Sequence, residues 1–122
     1  MKVLYLQPGR GVGGAKVSLA NLLKSEPRGQ ISQVALSPPV DDLFAGLRGI
    51  LVEKIHTLYL PVWKKRSYLN PRQQLISMLA RIRRGWYFKP VIQLARIINN
   101  ERIDLIHTNS SICPVGAFAA RI

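Results

Sequence analysis

Acidic residues are scarce in this sequence. Against 18 lysines and arginines stand 6 aspartates and glutamates, giving a formal net charge of +12. Such a surface attracts polyanions and anionic lipid without choosing between them. Histidine and cysteine are scarcer still, at 2 and 1. With so few carboxylates nearby, these separated residues provide no ligand set for a metal centre. Cys113 has no partner for an intrachain disulfide, which favours a reducing, cytoplasmic setting. It stands beside Pro114 without a basic neighbour in sequence and reads as a structural or incidental thiol. Long apolar runs are missing as well, and none approaches the roughly 18 residues of a spanning helix. The opening Met1-Lys2-Val3-Leu4-Tyr5-Leu6 stops at Gln7-Pro8, too early for a signal peptide, and reads as a buried strand.

What is present suits one small domain or part of one: 122 residues, 48% hydrophobic. Val3 to Leu6 predicts a first strand and Ala15 onward a helix, with Val17, Leu19, Ala20, Leu22 and Leu23 as its apolar residues. Ile31 to Leu36 predicts a second strand. Asp41 or Asp42 is a candidate cap for a short helix closed by Gly49, and Ile50 to Leu58 holds a third strand. Asn70-Pro71 marks a helix start, with Leu75, Ile76, Leu79 and Ile82 as its apolar stripe. Pro90 opens another helix, closed at Asn99-Asn100. Ile103 to His107 is a short strand, and Val115 to Ile122 a helix without a visible cap. Strand and helix alternate, so the expected class is α/β, a Rossmann-like parallel sheet with flanking helices. The uncapped last helix leads us to expect that the domain is incomplete as given.

Two segments carry chemistry. Gly11-Val12-Gly13-Gly14 lies between the first strand and the first helix, where glycines admit a ligand to the backbone and free N–H groups favour an anion or sugar oxygens. The spacing fits neither the dinucleotide fingerprint nor the phosphate-binding loop, since Ala15 precedes Lys16 and Val17 replaces the magnesium-binding hydroxyl. No acidic residue ends the second strand near Leu36, which disfavours a nicotinamide dehydrogenase. The alternative is a turn without a ligand. The second segment is His107-Thr108-Asn109-Ser110-Ser111, a polar series at a strand end expected on the same sheet edge as the glycine loop. Such groups orient sugar hydroxyls or phosphate, and His107 exchanges protons near neutrality. The alternative is a satisfied histidine followed by helix caps. His56 occupies a similar place at the third strand and carries less weight.

Between these segments, Lys64, Lys65, Arg66, Arg81, Arg83 and Arg84 are interleaved with Trp63, Tyr68, Trp86, Tyr87 and Phe88. This mixture suits an anionic membrane surface. Nucleic acid is the less favoured polyanion, because no motif supports it. A solvated basic face with the aromatics in the core is the remaining possibility.

The opening K-V-L-Y-L-Q-P-G-R-G-V-G-G-A and the later I-D-L-I-H-T-N-S followed by G-A-F-A-A resemble the N-terminal domain of family 4 retaining glycosyltransferases. The likeness is concentrated in residues 2–23 and 101–121. It implies the N-terminal half of a GT-B fold, two Rossmann-like domains facing a cleft. Gly13, Gly14, Ala15 and Lys16 would line that cleft, with Thr108 and Ser110 as further substrate contacts and His107 and Asn109 as the catalytic candidates. Many members carry a second histidine where this chain has Asn109. The resemblance further implies a nucleotide diphosphate sugar donor, a lipid or saccharide acceptor and a reaction with retention. It implies no cofactor or metal, and a setting on the cytoplasmic membrane face. The nucleotide pocket and the paired-glutamate motif would belong to a C-terminal domain, so this chain alone is expected to be inactive. Rival readings are another GT-B nucleotide-sugar enzyme, such as an epimerase, and a non-catalytic basic module.

Overall fold

The computed structural model describes residues 1–8, 13–27, 29–38, 42–61, 70–83, 88–109 and 115–122, with residues 81–83 described by their backbone alone. Its strands are β1 (Lys2–Gln7), β2 (Ile31–Leu36), β3 (Lys54–Thr57) and β4 (Leu105–Thr108). Its helices are α1 (Gly14–Ser25), α2 (Asp42–Ala45), α3 (Pro71–Arg83), α4 (Phe88–Glu101) and α5 (Val115–Ala119). The strands form one parallel sheet in the order β3-β2-β1-β4.

β1 is central, paired with β2 on one side and β4 on the other. Its unbroken apolar run follows from that position, because both faces of a central parallel strand are covered. Val3 and Tyr5 pack with Leu19, Leu23, Val34, Leu36, Phe44 and Val52, so α1 and α2 cover one face. Leu4 and Leu6 pack with Ala35, Val91, Leu94, Ala95, Val115 and Ala119, so α4 and α5 cover the other. The α/β class and the parallel sheet expected from the sequence are both present.

Several expectations change in detail. In α1 the buried stripe is Lys16, Leu19, Ala20 and Leu23, while Val17 and Leu22 face solvent. The stripe obeys the i, i+3, i+4, i+7 rule, and Val17 and Leu22 fall outside it. The third strand is shorter than Ile50–Leu58. Residues 47–52 close on themselves, with Val52 N–H donating to the Leu47 carbonyl at 3.0 Å and Gly49 N–H to the Val52 carbonyl at 2.8 Å. Gly49 has φ +78°, the left-handed region this turn requires.

α3 begins at Pro71 as expected. Asn70 Oδ1 accepts from Gln73 N–H at 2.9 Å and Gln73 Oε1 from Asn70 N–H at 3.2 Å, a reciprocal capping box. Leu75, Ile76 and Leu79, however, join neither core. α4 starts at Phe88, two residues before Pro90. It runs past Asn99-Asn100 to Glu101 and is closed by Arg102, which has φ +53°. There Ile103 N–H donates to the Ile98 carbonyl and Arg102 N–H to the Asn99 carbonyl, a Schellman closure with arginine where glycine is usual.

Candidate functional site

The chain lays β1, β2 and β3 outward in one direction, then returns to place β4 on the far side of β1. The strand order therefore reverses between β1 and β4. In open α/β sheets this reversal leaves a crevice beyond the carboxyl ends of the two strands, because their following helices leave toward opposite faces. Here α1 follows β1 on one face and α5 follows β4 on the other.

Gln7 ends β1, and Asn109 follows β4. Asn109 N–H extends the ladder by donating to the Leu6 carbonyl at 3.0 Å. The Asn109 side-chain amide donates to the Ala15 carbonyl at 2.7 Å and to Gln7 Oε1. A backbone carbonyl only accepts, so the nitrogen of Asn109 faces Ala15, and Gln7 must present its oxygen. One amide thus ties β1, α1 and β4 together at the crevice. Gln7 is only 3% exposed, a buried polar residue where the sequence shows only the end of the first apolar run. The available signal was a polar residue closing an apolar run immediately before a glycine loop.

α1 starts at Gly14, with Gly13 as its N-cap in an extended conformation and no side-chain cap. Lys16 and Val17 N–H both donate to the Gly13 carbonyl, so the Gly14 and Ala15 N–H groups are the first-turn donors aimed beyond the helix. A Cβ built on Gly13 or Gly14 meets no described atom within 4 Å. Neither glycine is required by φ or by packing among the described residues. Lys16 lies one residue further on but is 3% exposed, part of the buried stripe of α1.

His107 pairs with Tyr5 across the β1–β4 ladder, their ring centroids 5.2 Å apart and tilted at 49°. Tyr5 is held from below. Its hydroxyl donates to Glu26, which also accepts from Ser32 Oγ and from Gln30 Nε2, while Gln30 Nε2 donates to the Tyr5 hydroxyl at 3.2 Å. Burial, then the Glu26 carboxylate, pushes the Tyr5 phenol up to about 12. The tyrosine stays neutral and gives the imidazole a fixed backing. His107 itself is exposed.

Thr108 is separated from His107 by strand alternation. Its Oγ1 lies on the α5 face, where a Cβ on Gly116 would come within 2.9 Å of it and within 2.6 Å of Leu6 Cδ1. Gly116 is what lets α5 close on β1 and β4. Ser110 lies outside the described residues, as do Gly11, Val12, Cys113, Lys64, Lys65, Arg66 and Arg84. Arg81 and Arg83 fall in the last turn of α3.

His56 is elsewhere. It sits in β3 on the opposite edge of the sheet, and its Nε2 meets Gln33 Oε1 at 2.8 Å. Burial and then Lys54 hold its pKa below the usual value, with Glu101 opposing them. Gln33 also donates to Glu53 and Glu101, and Glu101 pairs with Lys54, so this cluster is internally satisfied. Among the described residues no group of histidine, cysteine and carboxylates is arranged to hold a metal.

No family model, curated protein or solved structure matches this chain. The fold and crevice define an α/β protein with a parallel sheet and flanking helices; anything narrower rests on the residues themselves.

Proposed function

We propose that this chain is the acceptor-side, Rossmann-like half of a retaining GT-B glycosyltransferase that takes its sugar from a nucleotide diphosphate donor. The observation that carries this reading is the convergence at the sheet's reversal point. The Gly13-Gly14 backbone, the Asn109 clamp and the exposed His107 all lie toward the carboxyl ends of β1 and β4. The motif resemblance over residues 2–23 and 101–121 adds the reaction class.

The chemistry follows from the groups present. The Gly14 and Ala15 N–H groups and the positive end of the 12-residue α1 favour the diphosphate as negative charge grows on it. The acceptor hydroxyl oxygen bonds to the anomeric carbon as the bond from that carbon to the diphosphate oxygen breaks. The electron pair leaves with the diphosphate, and the acceptor proton passes to it on the same face, which retains configuration. His107 is placed to hydrogen-bond sugar hydroxyls, backed by Tyr5. Gln7 and Asn109 are positioning residues, because their hydrogen bonds hold the end of β1 and the first turn of α1 to the end of β4. A second domain forms the opposite wall and completes the water-excluding cleft, so this half alone does not turn over.

The test is a transfer screen of the full-length gene product against a panel of nucleotide diphosphate sugars, with lipid and saccharide acceptors. Nucleoside diphosphate release that needs both one donor and one acceptor supports the reading. Absence of turnover with every pair removes it.

A further inference from the structure

We propose that Gln33, His56 and Glu101 form a proton-sensitive latch, which holds the edge strand β3 and the end of α4 to the sheet near neutral pH and loosens β3 in mild acid. Gln33 interrupts the apolar residues of β2 and is 0% exposed. A buried amide needs partners for both its nitrogen and its oxygen. Strand alternation puts Gln33 on the same face as Ala35, which packs with α4. The β2–β3 register sets Lys54 beside Gln33 and His56 beside Ala35. The partners therefore come from the next strand and from the end of α4. The Gln33 nitrogen donates to Glu53 Oε2 at 2.7 Å and to Glu101 Oε2 at 3.2 Å. Two carboxylates thus fix which way the amide points. Its oxygen faces His56 Nε2 at 2.8 Å, so that nitrogen carries the hydrogen. Neutral His56 then keeps its proton on Nε2, and a second proton enters at Nδ1.

That second proton places a cation in a partly buried site. Lys54, two residues back on the same face of β3, repels it. Glu101 attracts it but is already engaged by Lys54 and Gln33. Of the other charges in the cluster, Glu53 is met by Gln33 and lies 3.7 Å from Lys2 Nζ, and Asp104 accepts from the Lys2 N–H. Burial first, then Lys54, holds His56 below its ordinary 6.5, with Glu101 working against them. An opened β3 therefore takes up the proton more readily than the closed strand does. The stability that neutral His56 contributes is whole above pH 6.5 and is lost as pH falls through the folded value. The loss is felt at β3, which has 4 residues and, among the described residues, pairs with β2 alone. Short edge segments of this kind are the first to open locally. The inference does not depend on sugar transfer.

The test is amide hydrogen exchange of the full-length gene product between about pH 5 and 8, corrected for intrinsic rates. The N–H groups of Glu53 and Leu58, bonded to the Ser32 and Leu36 carbonyls at 2.8 and 3.0 Å, report the two ends of β3. Their protection should fall about threefold or more from the neutral to the acid end. His56→Gln carries an amide nitrogen toward the place of Nε2 without a titrating ring. It should keep the protection at neutral pH and lose the fall. Lys54→Gln removes the repelling charge, so the His56 midpoint, followed by its ring C–H resonance, should rise. Glu101→Gln should lower it. A His56 midpoint at or above 6.5 in the parent, protection that ignores pH, or a fall that survives in His56→Gln would each overturn the proposal. If His56→Gln fails to fold, a midpoint that Lys54→Gln leaves in place would overturn it equally.

Discussion

The Asn109 side-chain nitrogen lies 2.7 Å from the Ala15 carbonyl oxygen, joining the end of β4 to the first turn of α1 across a sequence separation of 94 residues. Because Asn109 also donates to Gln7, truncation to alanine leaves two acceptors without their donor. Asn109→Ala should cost about 1–3 kcal/mol in urea denaturation. Asn109→Asp has the same shape but no donor, and sets a carboxylate against two oxygens, so it should cost at least as much. If aspartate proved neutral, the clamp would not be a hydrogen-bonded one.

Two kinds of glycine border the crevice, and alanine separates them. At Gly14, the first residue of α1, the added methyl meets no described atom within 4 Å, so Gly14→Ala should raise stability by about 0.5–1 kcal/mol. The same methyl stands where the proposed diphosphate approaches, so sugar-nucleotide affinity should fall. At Gly116 the methyl would run into Leu6 and Thr108, so Gly116→Ala should destabilise by about 1–3 kcal/mol. Thermal melts of the two variants should therefore move in opposite directions.

Tyr5 gives a pH signature. With its phenol raised to about 12, the folded chain holds a proton that the unfolded chain loses near 10.0. This contribution to stability is whole below pH 10 and is lost as pH climbs toward 12. Ultraviolet titration should show one of the 4 tyrosines ionising late. Glu26→Gln removes the charge that opposes ionisation and should bring that step down.

Arg102 closes α4 at φ +53°, a conformation that disfavours any side chain. Arg102→Gly should stabilise the fold by about 1 kcal/mol while leaving the crevice unchanged. A lowered melting temperature would show that the arginine side chain makes a compensating contact.

Much of the architecture was legible because it is local. The apolar run of β1, the Asn70-Pro71 helix start and the alternation of strands and helices all write themselves into short stretches of sequence. Other features depend on partners far along the chain. Nothing near Val17 or Leu22 says that the stripe of α1 runs through Lys16 instead. That Leu75, Ile76 and Leu79 of α3 join neither core is likewise invisible in its own residues, which read as an ordinary core helix. At the crevice the two segments that meet were identified, but their division of labour was not. Strand alternation sends Thr108 toward α5, and the Gln7–Asn109 clamp exists only because β1 and β4 are neighbours. Gly116 looked like one small residue among several until β1 and β4 lay beneath it.

The central claim is that sugar nucleotide meets this chain where β1 and β4 part. The most direct measurement is a nuclear magnetic resonance titration of the full-length gene product with the nucleotide diphosphate sugar panel, following backbone amides. The account predicts that one donor shifts Gly13, Gly14, Ala15, Thr108 and Asn109 together, and that His107→Ala weakens the effect without disturbing the fold. Shifts confined to α3, to the His56 edge of the sheet, or absent with every donor would contradict it.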